Sequence, residues 1–255
     1  MTHREKRLYL IRALLEEQSR LQVQELPEGE AEQERLLRGL FNLRPPKPVE
    51  EVFLRIQGEY WDEERERRGV TELSALEPVR GSLYLWQGDI TTLRVDAIVN
   101  AANSQMLGCF YPCHGCIDNA IHTYAGVELR LACARAVQGE EPTGGAKITP
   151  AFHLPCRYVL HTVGPIVSGP LTQKYEDQLA SCYCSCLGLA WEHGLKSVAF
   201  CCISTGEFHF PPRRAAEIAI GTVEEAMKAY RGMKVVFNVF KDDDLRLYRE
   251  LLRAD

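Results

Sequence analysis

Three cysteines and one histidine, Cys109, Cys113, His114 and Cys116, fall within eight residues of one another. Thiolate and imidazole are the ligand pair that zinc favours, and Cys109, His114 and Cys116 can converge on one ion from so short a loop. Three protein ligands leave a fourth position for water or substrate, the pattern of a catalytic ion rather than a closed structural one. The spacing matches no standard zinc finger, so three free thiols and a turn histidine remain the plainer reading of these residues alone.

Three other segments carry residues of the kind that hold a ligand. Trp86-Gln87-Gly88-Asp89-Ile90-Thr91 leaves a short apolar run, and its carboxylate can accept from an exocyclic amine. Ligands collect beyond the carboxyl ends of strands in open α/β sheets. Gly-Asp is also a common turn. Val99-Asn100-Ala101-Ala102-Asn103-Ser104 places an amide at a strand end, for use on a ligand or in an Asx-type turn, with small alanines beside it that permit close backbone approach. Ile203-Ser204-Thr205-Gly206-Glu207-Phe208-His209-Phe210-Pro211 links a strand to a helix that can begin at Pro212. Such a loop aims backbone N–H groups and a helix N-terminus at whatever lies above, which suits a phosphate. Phe208 and Phe210 are positioned to close over a sugar or base.

In combination, Gly-Asp-Ile-Thr, Val-Asn-Ala-Ala-Asn and Ile-Ser-Thr-Gly-x-Phe resemble the macrodomain family, as do Gly145-Ala146-Lys147-Ile148-Thr149 and His161-Thr162-Val163-Gly164-Pro165. The resemblance runs from about Leu83 to about Phe240. It implies an ADP-ribose cleft atop a sheet, with Asp89 on the adenine amine and Ile90 making the neighbouring backbone contact. Ser204, Thr205, Gly206, Glu207 and Phe208 would wrap the pyrophosphate, and Asn103 would contact the distal ribose. The loop at 108–122 further resembles the zinc-dependent subgroup, whose pattern reads Gly-Cys-x-x-Pro-x-His-x-Cys-Ile-Asp-Asn-x-Ile-His. By that likeness Cys109, His114 and Cys116 are the ligands and Cys113 is a bystander. Leu37 to Pro46 is similar to the subgroup's N-terminal extension. Asn103 and Asp118 are then the expected catalytic pair, Asp118 orienting or deprotonating the water.

What the resemblance implies is a zinc-dependent hydrolase that removes ADP-ribose from mono-ADP-ribosylated protein. Some relatives act beside a sirtuin-type transferase and a lipoyl carrier protein. Two rivals remain: a reader that binds ADP-ribose without cutting it, and a hydrolase of free esters such as O-acetyl-ADP-ribose. Asp118 and the ligand set weigh against the reader, which needs neither.

The elements that must position these groups follow from periodicity. Short β-branched runs alternate with helical segments from Ser82 onward, which predicts a three-layer α/β fold with helices on both faces of the sheet. The macrodomain resemblance implies that this central sheet is mixed. Strands are expected at Leu83–Trp86, Ala97–Asn100, Lys147–Thr149, Tyr158–Thr162, Ser197–Ile203 and Lys234–Phe240, and helices at Asp118–Val137, Lys174–His193, Pro212–Tyr230 and Asp242–Leu252. Residues 1–80 read as an N-terminal helical extension and 81–255 as the macrodomain. Leu8, Ile11, Leu14 and Leu15, and then Leu36, Leu37 and Leu40, recur at helical spacing. The prolines at 45, 46 and 48 break the chain before a helix over Val49–Ile56. Asp62 to Arg68 is either that helix's exposed end or a linker.

Among 255 residues, 45% are hydrophobic and the formal net charge is -5. That balance argues against a phosphate-tracking, nucleic-acid-binding surface. No apolar run reaches transmembrane length, and the N-terminal residues mix Arg with Glu5, Glu16 and Glu17, so a soluble cytoplasmic chain is expected. Ten cysteines in a chain of long periodic segments suit packing better than a disulfide scaffold, and Cys133, Cys182, Cys186, Cys201 and Cys202 are read as core residues. His122 is expected to pack or cap, His153 carries no signal, and His161 is expected to be a satisfied core histidine.

Overall fold

The computed structural model describes residues 1–18 and 25–253. Helices α1 (His3–Glu17), α2 (Glu30–Leu43) and α3 (Glu51–Arg68) come first. They are followed by strands β1 (Thr71–Glu72), β2 (Pro78–Arg80), β3 (Leu83–Gln87), β4 (Leu93–Arg94) and β5 (Ala97–Ala102). Next come α4 (Ile117–Ala125), α5 (Val127–Ala136), β6 (Ala146–Pro150) and β7 (Tyr158–Val163). The chain closes with α6 (Gln173–Glu192), β8 (Ser197–Phe200), α7 (Pro212–Met227), β9 (Lys234–Val239) and α8 (Asp242–Arg253).

Seven strands form one mixed sheet in the order β2-β3-β9-β8-β5-β7-β6. The five inner strands run parallel, and β2 and β6 are antiparallel edges. Helices cover both faces, and this is why the inner strands read as near-continuous apolar runs: neither face meets water. β5, Ala-Ile-Val-Asn-Ala-Ala, shows the consequence, because its single polar side chain, Asn100, is wholly buried. The parallel register sets Asn100 opposite His161 on β7. All five parallel strands end on one rim, which gathers the segments after Gln87, Ala102, Val163, Phe200 and Val239 at a single edge.

The first three helices build their own core from Leu10, Leu14, Leu37, Leu40, Phe53, Ile56 and Trp61, with Val127 of α5 completing it. Tyr124 of α4 packs against both this core and that of the sheet. Among the described residues, no helix is long and apolar enough to cross a membrane.

Some expected boundaries move. The helix expected over Asp118–Val137 is two helices, broken at Gly126, whose φ of +88° ends α4. A Cβ there would lie 2.8 Å from Gln57 Nε2 and 2.9 Å from His153 Cδ2, so glycine is required by both conformation and space. The strand expected to reach Ile203 stops at Phe200, and Phe240 lies outside β9. The third helix continues past Ile56 through the charged run to Arg68. Cys133, Cys182, Cys186 and Cys201 are buried, while Cys202 is half-buried.

Candidate functional site

The loop between β5 and α4 carries the cysteines. Its entry is fixed by Asn103, whose Oδ1 accepts from Gln105 N at 3.1 Å and whose Nδ2 donates to Gly108 O at 3.2 Å. This is the Asx-type turn of the two sequence readings; one amide hydrogen of Asn103 stays free of these bonds. Gly108 follows at φ +79°, and a Cβ on it would lie 2.7 Å from the His122 ring. His122 therefore packs beneath the loop. Its ring nitrogens are buried without a hydrogen-bond partner, Nε2 lying 3.5 Å from Asp118 Oδ1, and burial drives its basicity well below the usual range.

Ligand atoms of Cys109, His114 and Cys116 all lie within 4.8 Å of one another. Cys113 is not in that group; its Sγ donates to Arg35 O, and its φ is +56°. Cys116 caps α4, its Sγ accepting from Asn119 N at 3.4 Å. Burial pushes this thiol up to about 12, and the neighbouring Cys109 and Asp118 add to the effect. His114 Nδ1 is buried without a hydrogen-bond partner, and its Nε2 is 3.7 Å from Glu207 Oε1. Two converging thiols and an orphaned imidazole nitrogen are a donor set that fits zinc.

Asp118 sits in the first turn of α4 and is buried. Burial raises its carboxyl to about 6, against the opposing pull of the Asn100 amide and the Arg130 charge. Asn100 Nδ2 donates to Asp118 Oδ1 at 2.7 Å and also lies 3.1 Å from His161 Nδ1. His161 Nε2 lies 2.9 Å from Thr149 Oγ1. The histidine is thus bonded on both sides, and burial holds its pKa near 3. His122, Cys133 and His161 also cluster, but the two neutral rings and the Cys133 thiol, raised by burial to about 12, form a packed polar knot.

At the far end of the rim, Asp89 Oδ1 accepts from Thr91 N and Thr91 Oγ1, capping a short 3₁₀ turn at Ile90–Thr92. Asp89 Oδ2 accepts from Arg68 Nη2 at 2.6 Å, and that guanidinium lies 3.6 Å from the Tyr124 ring centroid. The Ile90 side chain is buried, and no acceptor among the described residues takes its N–H. Phe240, 75% exposed, stands beside this end, its carbonyl accepting from Gln87 Nε2.

Between the two ends lies the loop after β8. Ser204 adopts φ +64° and is buried. Its Oγ would be 2.1 Å from any Cβ at position 164, so Gly164 is what lets the two loops meet. Thr205 N and Oγ1 donate to Cys202 O, Phe210 N to Ser204 O, and His209 N to Gly206 O. Among the described residues, no acceptor takes the N–H groups of Ser204, Gly206, Glu207 and Phe208. Unpaired donors in consecutive turns form an anion-binding concavity. Glu207 is exposed and Phe208 half-buried. Phe210 is 1% exposed and belongs to the core, so it cannot close over a ligand as its position in the sequence suggested.

Arg38, Asn42 and Arg68 of the first helices contact this rim. Arg38 and Asn42 lie in the Leu37–Pro46 stretch likened to the subgroup's extension, which named no role for them, and Arg68 had no signal beyond its charged run. Asn100 had one, as an amide in an apolar strand.

The comparisons follow the same residues. The Macro domain family matches residues 99–219. A protein-ADP-ribose hydrolase of Treponema medium is 56% identical over 260 residues, covering 99% of this chain and 100% of its own length. One from Staphylococcus aureus (strain MSSA476) is 48% identical, covering 97% and 95%. Among solved structures, the Trypanosoma brucei macrodomain in complex with ADP-ribose superposes with a TM-score of 0.66 at 32% identity, covering 84% of this chain and 94% of that one. With such likeness along nearly its whole length, the chain belongs to the Macro domain family.

Proposed function

We propose that this chain hydrolyses ADP-ribose from modified proteins, and that zinc held by Cys109, His114 and Cys116 takes part. Relatives named for protein-ADP-ribose hydrolysis match end to end at 56% and 48% identity, which supports the reaction class. The observation that carries the zinc reading is the convergence of two thiols and an imidazole within 4.8 Å of one another, the last of them two residues before the buried Asp118. In this reading the helical extension is α1 to α3, and the boundary expected at 80/81 moves earlier, because β2 at Pro78–Arg80 is an edge of the macrodomain sheet.

Each group then has a task. Asp89 and the free N–H of Ile90 receive the adenine, with Arg68 sharing the carboxylate. The unpaired N–H groups of Ser204, Gly206, Glu207 and Phe208, with Thr205 shaping the turn, hold the pyrophosphate. Asn103 steadies the distal ribose through its remaining amide hydrogen. Asp118 takes a proton from the water that attacks the anomeric carbon while the bond from that carbon to the protein breaks, a modified acidic side chain leaving as its carboxylate. The raised pKa of Asp118 brings it closer to matching that task. When bound, zinc supplies Lewis acidity toward a water or toward the ribose hydroxyls.

The test is release of ADP-ribose from mono-ADP-ribosylated proteins, a modified lipoyl carrier protein among them, with O-acetyl-ADP-ribose run in parallel. Turnover on protein, lost after chelation and restored by zinc, is the expected result. Tight ADP-ribose binding without release from any modified protein would leave a reader. Turnover of the free ester alone would move the substrate class.

A further inference from the structure

We propose that Arg38 of α2 is a positioning residue for the cysteine loop, so that the N-terminal helices hold the three ligands in their binding arrangement. This rests on the zinc reading above. The loop has little order of its own: among the described residues, its only internal backbone bond between 109 and 116 is His114 N to Tyr111 O, at 3.2 Å. Yet it is held in a shape that includes positive φ at Gly108 and Cys113.

The missing restraint comes from α2. Arg38 and Asn42 are four residues apart and share one helix face. Arg38 Nη2 donates to His114 O at 2.9 Å and to Asn119 Oδ1 at 2.8 Å, and Nε reaches the same Oδ1 at 3.1 Å. Asn119, oriented by that fork, donates from Nδ2 to Tyr111 O and from its backbone N to Cys116 Sγ. One guanidinium therefore holds the backbone of one ligand directly and, through the Asn119 side chain, the Tyr111 carbonyl between Cys109 and His114, while Cys116 Sγ rests on the N-terminal turn of α4. Asn42 completes the bracket, accepting from Cys113 N at 2.8 Å and donating to Thr123 Oγ1 at 2.9 Å. That same bond draws Cys113 toward α2, where its Sγ meets Arg35 O. Ligands held before the ion arrives need no reordering when it binds, and outer partners of this kind tune metal affinity. Lysine cannot reproduce the grip, because it lacks the planar fork that spans two acceptors.

The experiment uses the full chain, stripped with a chelator and titrated with zinc against a chromophoric competitor, then with Co²⁺ to read its ligand-field and thiolate bands. Wild type, Arg38→Ala and Arg38→Lys are compared. Arg38 is only half-buried, so both variants should fold. Arg38→Ala should lose about 10–100-fold in zinc affinity and alter the cobalt spectrum, the range typical of outer-partner changes. Arg38→Lys should recover part of that loss. Arg38→Ala leaves the buried Asn119 Oδ1 without its donor and should lower the thermal midpoint slightly. ADP affinity of the metal-free protein should stay at the wild-type value, which separates positioning from a general packing role. Zinc affinity and a cobalt spectrum equal to wild type in Arg38→Ala would overturn the proposal, as would a loss matched by equal losses in ADP affinity and stability. Failure of wild type to bind zinc would remove the zinc reading and this inference with it; an indifferent Arg38→Ala beside a zinc-binding wild type removes only this inference.

Discussion

Cys113 lies between two thiols it resembles chemically, yet its Sγ points to Arg35 O while Cys109, His114 and Cys116 face one another. Cys109→Ala or Cys116→Ala should therefore abolish stoichiometric zinc in elemental analysis of the purified protein, and Cys113→Ala should retain it. Metal loss confined to the Cys113 variant would reassign the ligand set. Asp118 differs from these in acting on the reaction rather than on binding. Its removal should leave ADP-ribose affinity nearly unchanged and lower turnover about 10²–10⁴-fold, since a base acts mainly in the transition state. Calorimetry paired with single-turnover release on Asp118→Ala measures both, and a variant that turns over normally would exclude Asp118 as the base.

At the scale of elements, the site depends on how closely two loops approach at the rim. The turn after β7 and the loop after β8 touch where Gly164 faces Ser204. An added methyl would press on Ser204 Oγ at 2.1 Å and Ile203 Cγ2 at 2.9 Å. Gly164→Ala should cost about 1–3 kcal/mol in urea denaturation, as overpacking does. It should also weaken ADP-ribose binding by about tenfold or more, a change of about 1.4 kcal/mol, because the unpaired N–H groups are displaced together. Unaltered affinity would show that this loop does not hold the pyrophosphate. The two ends of the rim also share supports from outside it: Arg68 from the end of α3 at Asp89, and Arg130 of α5 at the other. Arg130 donates to Leu107 O and to the carbonyls of Phe41, Asn42 and Arg44, and its guanidinium lies 4.3 Å from the Phe110 ring.

For the whole molecule, the buried polar knot couples folding to pH. His161 has a folded pKa near 3 against a reference of 6.5, because burial disfavours its charged form. Between those values the unfolded chain binds a proton that the folded chain refuses, so stability falls as pH drops below 6.5. His122 shifts in the same direction, and Asp118, raised by burial, opposes both below about pH 6. Comparing wild type with His161→Gln isolates the one group. From pH 7 to pH 5 wild type should lose about 2 kcal/mol more than the variant in chemical denaturation. Parallel losses would mean that His161 protonates in the folded protein.

Local pattern was enough for much of this protein. Apolar runs and helical spacing are set by which side of a strand or helix meets the core, so the order of layers could be read residue by residue along the chain. The donors of the cysteine loop were legible as a group because they are close in sequence, although their arrangement leans on α2, which no local pattern reveals. Gly126 escaped, since the spacing of apolar residues continues through it and only the crowding by Gln57 and His153 reveals the break. Tertiary structure alone decided the support of the site. Arg38 meets Asn119 across 81 residues, Arg68 meets Asp89 across 21, and Asn100 lies near His161 across 61. Such pairs depend on the docking of whole elements and on strand register. A charged helical run looks the same whether its arginine ends in water or on the carboxylate of another loop.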